Sequence, residues 1–483
     1  MKLIFEKEVK GSNRFEFPSL DLPDGIPNDA IAEEHRRTGP SGIPEISEVE
    51  AIRHFTALSK RAFAVDDGPY LLGSCTMKYT PKICEAVAKL PGFTDIHPYQ
   101  PPWTVQGALE LLYELQEILS RLTGMDQFTL QPAAGAHGEL CGMMIIRAYH
   151  KSNGADTRRR VVLIPDSAHG TNPASAAAVG YKIREVKSGP DGLVDLEDLR
   201  SKIGDDVAGL MLTNPNTVGL FEKNILEISR LVHEAGGLLY YDGANLNAVV
   251  GIARPGDMGF DVCHVNLHKT FATPHGGGGP GAGCVGVKEF LAPFLPRPTI
   301  EKDDAGAYTF KEDLPHSIGK IKTFYGNFGV CVKAYAYIRL LGFEGLRAVA
   351  QHAVLNANYL KKRLSEFYEI PFDVICKHEF IATNAYQERY GIRTLDIAKR
   401  LIDFGYHPPT IYFPLIVPEA MMFEPTETES KERLDDIASA MKIIAEECER
   451  DPEKVKRAPH STVVGRVDEI RAARKIVLRY KAE

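Results

Sequence analysis

Between residues 109 and 288 the chain alternates short apolar runs with helix-length amphipathic stretches, and that alternation limits the folds open to it. The apolar runs fall at 128–131, 161–165, 209–213, 238–242, 262–267 and 283–287, each closed by a polar or small-residue turn. Strands separated by helices have room for crossover connections, so this order predicts an α/β fold with a mainly parallel, doubly wound sheet. Such sheets bind ligands beyond the carboxyl ends of their strands. The residues that close each run are therefore the first place to look for chemistry.

Lys269 follows the run 262–267, within His264-Val-Asn-Leu-His-Lys269 and just before the glycines of 276–281. A lone loop lysine is usually a solvated one. A lysine at a strand mouth among histidines and glycines is also where an amine would form a Schiff base with an aldehyde cofactor. Asp242 closes the run Leu238-Leu-Tyr-Tyr-Asp242, where a buried carboxylate needs a cation unless it only caps a turn. The pyridinium nitrogen of pyridoxal phosphate is such a cation, and an aspartate there keeps the ring electron-withdrawing.

Upstream, Phe128-Thr-Leu-Gln-Pro-Ala-Ala-Gly135-Ala136 reads as a strand, a small-residue turn and a helix start. Backbone amides at such a start bind phosphate, and Gly135 and Ala136 are the expected donors, although the same string also makes an ordinary tight connection. His169, after the run 161–165, is placed to stack on a flat cofactor ring or to be a polar loop residue. Thr213 or Asn214, after the run 209–213, is placed to bond the cofactor's phenolic oxygen, and His268 beside the lysine is counted with the cofactor-binding residues.

In this order the residues resemble the fold type I pyridoxal phosphate enzymes, the aspartate aminotransferase-like group. Longer strings narrow the resemblance: Leu72-Gly-Ser-Cys-Thr-Met-Lys78, Gln131-Pro-Ala-Ala-Gly-Ala-His-Gly-Glu139, His169-Gly-Thr-Asn-Pro-Ala-Ser-Ala176, His268-Lys-Thr-Phe-Ala-Thr-Pro-His-Gly-Gly-Gly-Gly-Pro-Gly281 and Glu424-Pro-Thr-Glu427. Together they resemble the glycine decarboxylase family, the P protein of the glycine cleavage system. The match is with the carboxyl-terminal, cofactor-carrying half of the long form, which corresponds to subunit 2 of the split form. The resemblance implies pyridoxal phosphate held covalently by Lys269, with Lys269, Asp242 and His169 as catalytic residues. It also implies glycine as substrate, a separate subunit 1 with two copies of each subunit, and a lipoylated H protein that receives the aminomethyl group. A free-standing lyase or aminotransferase acting on another amino acid is the alternative, and a scaffold subunit fits poorly with both Asp242 and Lys269 present.

Competing motifs fail on context. The glycine run 276–281 leads into another strand, where a dinucleotide fingerprint requires a helix. His264, His268 and His275 lack the helical spacing of hydrolytic zinc sites, so no metal is expected. The formal net charge of −7 argues against a nucleic-acid partner, and the 8 cysteines contain no CxxC pair, which points to a reducing cytoplasm. No apolar run is long enough to span a bilayer, and the amino terminus lacks the apolar core of a signal peptide.

The remaining segments frame this block. Residues 1–70 read as an extended arm with a helix near 46–60, and residues 71–325 as the cofactor-binding large domain. The stretch 298–323 reads as a loop. Helices are expected at 328–341 and 345–367, then a strand from about residue 371, a helix at 394–404, a strand at 411–417 and a helix at 429–449. These make a smaller α+β carboxyl-terminal domain at 326–460, followed by a basic tail at 461–483 with helical charge spacing.

Overall fold

The computed structural model describes residues 2–7, 31–39 and 42–479. Residues 68–466 form one compact unit, and the described parts of 1–67 and 467–483 form another. The larger unit is built on a seven-stranded sheet. Its strands are β1 (Gln127–Thr129), β2 (Val161–Pro165), β3 (Lys182–Val186), β4 (Val207–Leu212), β5 (Leu238–Gly243), β6 (Val262–Asn266) and β7 (Gly283–Val287). The spatial order is β1-β7-β6-β5-β4-β2-β3, and within this sheet β7 alone runs against the rest.

Burial explains the parallel core. β2 and β4 are buried at every position, as strands covered on both faces must be, and their Val, Leu, Ile and Met side chains carry no unsatisfied polar groups. The covering helices are α1 (Gln106–Thr123), α2 (Gly135–Ser152), α3 (Thr171–Ala178) and α4 (Ile225–Glu234). In α4 the buried Ile225, Ile228 and Val232 fall at helical spacing and form its core-facing stripe. α1 ends at Gly124, whose left-handed φ of 73° lets its N–H bond the Ser120 carbonyl at 2.8 Å.

The structure departs from the sequence reading in places that have physical causes. The edge strand β3, Lys-Ile-Arg-Glu-Val, was not expected, because its side chains are largely solvated and give no apolar run. The supposed loop at 298–323 contains an antiparallel hairpin, β8 (Thr299–Lys302) with β9 (Tyr308–Lys311). Asp303 closes its turn by accepting from the amides of Ala305 and Ala307 at 3.0 and 2.8 Å. The strand expected at 411–417 shortens to β11 (Thr410–Ile411), since Pro414 lies in the run and cannot donate to a ladder.

The strand that matters there is β12 (Ala420–Phe423), which sits between β10 (Phe380–Thr383) and β11 in an antiparallel sheet. Helices α5 (Phe328–Leu364), α6 (Thr394–Asp403) and α7 (Lys431–Arg450) pack with this sheet around Leu360, Phe380, Phe423, Ile437 and Met441. The two helices expected at 328–341 and 345–367 are continuous but for a break at Gly342, with φ 62° and ψ −172°. In the smaller unit the expected helix runs over Glu48–Ser59, capped by the Ser47 hydroxyl on the Glu50 amide. Among the described residues of the tail there is one short helix, Glu469–Arg474. Among the described residues no helix is long and apolar enough to cross a membrane.

Candidate active site

The carboxyl ends of β2, β4, β5 and β6 open onto a cavity of about 150 Å³. Lys269 reaches it from the turn after β6, where its amide bonds the Asn266 carbonyl. Its Nζ donates to the Ser74 carbonyl at 2.6 Å. Ser74 and Thr76 adopt left-handed φ of 66° and 51°, an unfavourable state for side-chain-bearing residues. Two carboxylates hold that bend: Glu379 accepts from the Ser74 amide at 2.7 Å, and Glu424 accepts from the Thr76 amide at 2.9 Å and its hydroxyl at 2.6 Å. Two residues on, the buried Lys78 pairs with Glu427 at 2.7 Å and also donates to Asn247 and Tyr337.

Asp242, at the end of β5, is 4 % exposed. Its Oδ2 accepts from Asn172 Nδ2 at 2.9 Å and its Oδ1 from the Ala244 amide at 3.1 Å, while His264 Nε2 lies 3.5 Å away. Burial pushes the carboxyl up, but His264, Asn172 and the Ala244 amide outweigh it and hold the group below the usual carboxylate range. A fixed, ionised carboxylate therefore faces the cavity.

The start of α2 lies on the same cavity through Gly135 and Ala136. Its N-cap, Ala134, has no side-chain oxygen to satisfy the first amides, which leaves a donor-rich helix end suited to an anion. A Cβ on Gly135 would come within 2.7 Å of Asn266 Nδ2, so the Asn266 side chain would have to shift to admit one. Thr213 follows β4 and lines the cavity with a buried hydroxyl that has no hydrogen-bond partner among the described residues. His169 also lines it; its Nδ1 lies 2.8 Å from the Thr171 hydroxyl and its ring meets Phe413 edge-on.

The remaining expected site residues stand apart. Asn214 turns away from the cavity, its Oδ1 accepting from the Glu222 amide at 2.9 Å, so of the Thr213–Asn214 pair only the threonine lines the cavity. His268 packs under the glycine loop: its Nδ1 accepts from the Ala282 amide at 3.2 Å and its ring meets His275 at 5.0 Å. Burial, then the charges of His275 and Lys269, push His268 down to about 3, which leaves a neutral ring that supports the loop.

Several cavity residues escaped the sequence reading, among them Glu139, Asn245, Asn266, His378 and Glu379. Glu139 sits one helical turn into α2 and accepts from Thr171 and Asn172. Burial, then the charge of Asp242, push it up to about 7. Glu379 and Glu424 stand together beside His378, and burial followed by the Glu424 charge pushes Glu379 well up. Glu424 stands in the string Glu424-Pro-Thr-Glu427, whereas the sequence signal of His378-Glu379 is a polar pair abutting the apolar strand β10.

Residues 19–389 match the family described as glycine cleavage system P-protein, and residues 349–464 match glycine dehydrogenase, C-terminal domain. The chain belongs to the glycine cleavage system P-protein family. A Listeria monocytogenes protein named probable glycine dehydrogenase (decarboxylating) subunit 2 is 59 % identical over 483 residues, covering 100 % of this chain and 99 % of its own. A Bacillus licheniformis protein of the same name is 60 % identical over 479 residues, covering 99 % and 98 %. Among solved structures, an inhibitor-bound glycine decarboxylase (P-protein) superposes with a TM-score of 0.72 at 21 % identity, covering 87 % of this chain and 93 % of its own. A cysteine desulfurase from Thermococcus onnurineus superposes at 0.60 and 16 % identity, covering 78 % and 95 %. The fold is that of the fold type I pyridoxal phosphate enzymes.

Proposed function

We propose that this chain is the pyridoxal phosphate-carrying subunit of a two-subunit glycine decarboxylase, with the cofactor held covalently by Lys269. One arrangement carries the reading: the Lys269 amine, the Asp242 carboxylate, the uncapped start of α2 and the unpartnered Thr213 hydroxyl all border one cavity. Each matches a part of the cofactor. The α2 amides suit its phosphate, Thr213 its phenolic oxygen, Asp242 its ring nitrogen, and His169 its ring face. Full-length relatives named glycine dehydrogenase subunit 2 support glycine as the substrate.

Bound there, pyridoxal phosphate supplies an electron sink for the bond that breaks as glycine loses CO₂. Asp242 holds a proton on the ring nitrogen, because an ionised carboxylate fixed by Asn172 and the Ala244 amide favours a cation opposite it. Lys269, tethered to the Ser74 carbonyl, is positioned both to bind and to release the aldehyde carbon. The aminomethyl group then passes to the lipoyl disulfide of an H protein, whose S–S bond is reduced as the carbon is oxidised. Trp103, Ile375 and Leu415 are 78 %, 78 % and 84 % exposed, which supports an assembly in which a subunit 1 covers apolar surface. Two copies of each subunit are expected. The test is borohydride reduction of the cofactor-loaded chain followed by peptide mapping: the label should sit on Lys269 and vanish in Lys269→Ala. A label on another lysine would refute the assignment.

A further inference from the structure

Glu139 occupies a junction that the reaction outlined above leaves unused. Its side chain is buried, 3 % exposed, and its two oxygens face different parts of the site. Oε1 lies 2.8 Å from Thr171 Oγ1, which in turn lies 2.8 Å from His169 Nδ1. Oε2 lies 2.9 Å from Asn172 Nδ2, the same nitrogen that reaches Asp242 Oδ2 at 2.9 Å. One carboxyl group thus touches the chain of contacts to the ring-stacking histidine and the chain to the ring-nitrogen partner.

Proton counting on Thr171 has a definite consequence. A threonine hydroxyl owns one proton, and an ionised carboxylate can only accept. When Glu139 is ionised, the hydroxyl must donate to it, and the 2.8 Å contact between Thr171 Oγ1 and His169 Nδ1 is then a hydrogen bond only with the proton on Nδ1, in competition with the Thr171 amide that donates to Nδ1 at 3.3 Å. When Glu139 carries a proton it can donate to Thr171 Oγ1, the hydroxyl turns to His169, and Nδ1 becomes an acceptor. The Thr171 amide, 3.3 Å from Nδ1, serves that second arrangement. The two arrangements put the imidazole proton on different nitrogens.

We infer that Glu139 is a positioning residue whose ionisation selects, through Thr171, which nitrogen of His169 bears the proton. The inference rests on the reading that His169 faces the ring of the bound cofactor. Groups around Glu139 place its ionisation in the working range. Asp242 and Tyr240 approach from β5, the Tyr240 hydroxyl bonding His264 Nδ1 of β6 at 2.6 Å, and Ser175 of α3 lies 3.4 Å from Oε2. Burial and the Asp242 charge raise the carboxyl, while Asn172, Thr171 and Ser175 lower it, leaving it at about 7. His169 itself is held below its ordinary value, desolvation outweighing the attraction of Asp242, which favours its neutral ring. A cation placed against Asp242 relieves the repulsion that raises Glu139. Cofactor binding should therefore favour ionised Glu139 and the proton on His169 Nδ1.

The test follows the imidazole nitrogens of His169 by NMR in histidine-labelled full-length chain, with and without pyridoxal phosphate, assigned by the signal lost in His169→Gln. In the free chain the tautomer should switch with a midpoint near 7, from Nε2–H below it to Nδ1–H above it. Glu139→Gln, whose amide donates to Thr171 at every pH, should hold the Nε2–H form throughout. Thr171→Val should also abolish the switch while leaving the Asn172 bridge intact, and it serves if Glu139→Gln fails to fold. A switch that persists in either folded variant, or its absence from the unmodified chain, overturns the inference. Because the free chain is measured as well, failure to bind pyridoxal phosphate would sink the functional reading without deciding this one.

Discussion

At the scale of single residues, the site's chemistry turns on two neighbouring carboxyls kept in opposite states. Asp242 is ionised by its donors, whereas Glu139, bridged to it by Asn172, is pushed toward its protonated form. Asp242→Ala should lower glycine–bicarbonate exchange by roughly 10²-fold or more at saturating cofactor, because a charge that strengthens its hold in the transition state is lost. Near-normal exchange in that variant would remove Asp242 from the account. Glu139 predicts a stability effect of unusual sign for an acid. Its folded value lies above the unfolded one, so its contribution is full below about 4.5 and is lost as the pH rises through about 7. Urea unfolding at about pH 5 and about pH 8 should show the unmodified chain losing roughly 1–3 kcal/mol more than Glu139→Gln between the two. Much of this site was legible in the sequence because Lys269, Asp242, His169, Thr213, Gly135 and Ala136 all sit where a strand gives way to a turn or helix. Asn214 and His268 occupy equally suggestive positions, but neighbouring residues in a turn point in different directions, and no local pattern says which faces inward. Ser74, His378 and Glu379 come from distant parts of the chain, so only the fold brings them to Lys269.

At the scale of elements, strands buried along their whole length are the most readable. β2 and β7 begin and end where the apolar runs do, since a strand covered on both faces has an uninterrupted apolar signature. β3 and the β8–β9 hairpin were missed for the converse reason: strands with solvated faces alternate their chemistry and merge with polar loops. The break in α5 makes a further prediction. Gly342 holds φ 62° and ψ −172°, a region closed to side-chain-bearing residues, while nothing lies within 4 Å of where its Cβ would stand. Gly342→Ala should therefore act through backbone strain alone and cost about 1–3 kcal/mol in chemical unfolding. An unchanged midpoint would show that the break is not held by the fold.

At the scale of the whole molecule, the chain combines a polar cavity at the strand ends with exposed apolar side chains. Val49, Ile52, Phe55 and Leu58 recur along one helix and remain exposed. Such surface is unusual for a protein that works alone and common where another subunit packs. The central claim is that Lys269 carries the chemistry of glycine decarboxylation and that a partner subunit completes the enzyme. The most direct measurement mixes this chain with subunit 1, pyridoxal phosphate, lipoylated H protein, glycine and labelled bicarbonate, and follows label into the glycine carboxyl. The account predicts exchange by the assembled subunits, little by this chain alone and none when Lys269→Ala replaces it. Full exchange by this chain without subunit 1, or exchange that survives Lys269→Ala, would contradict it.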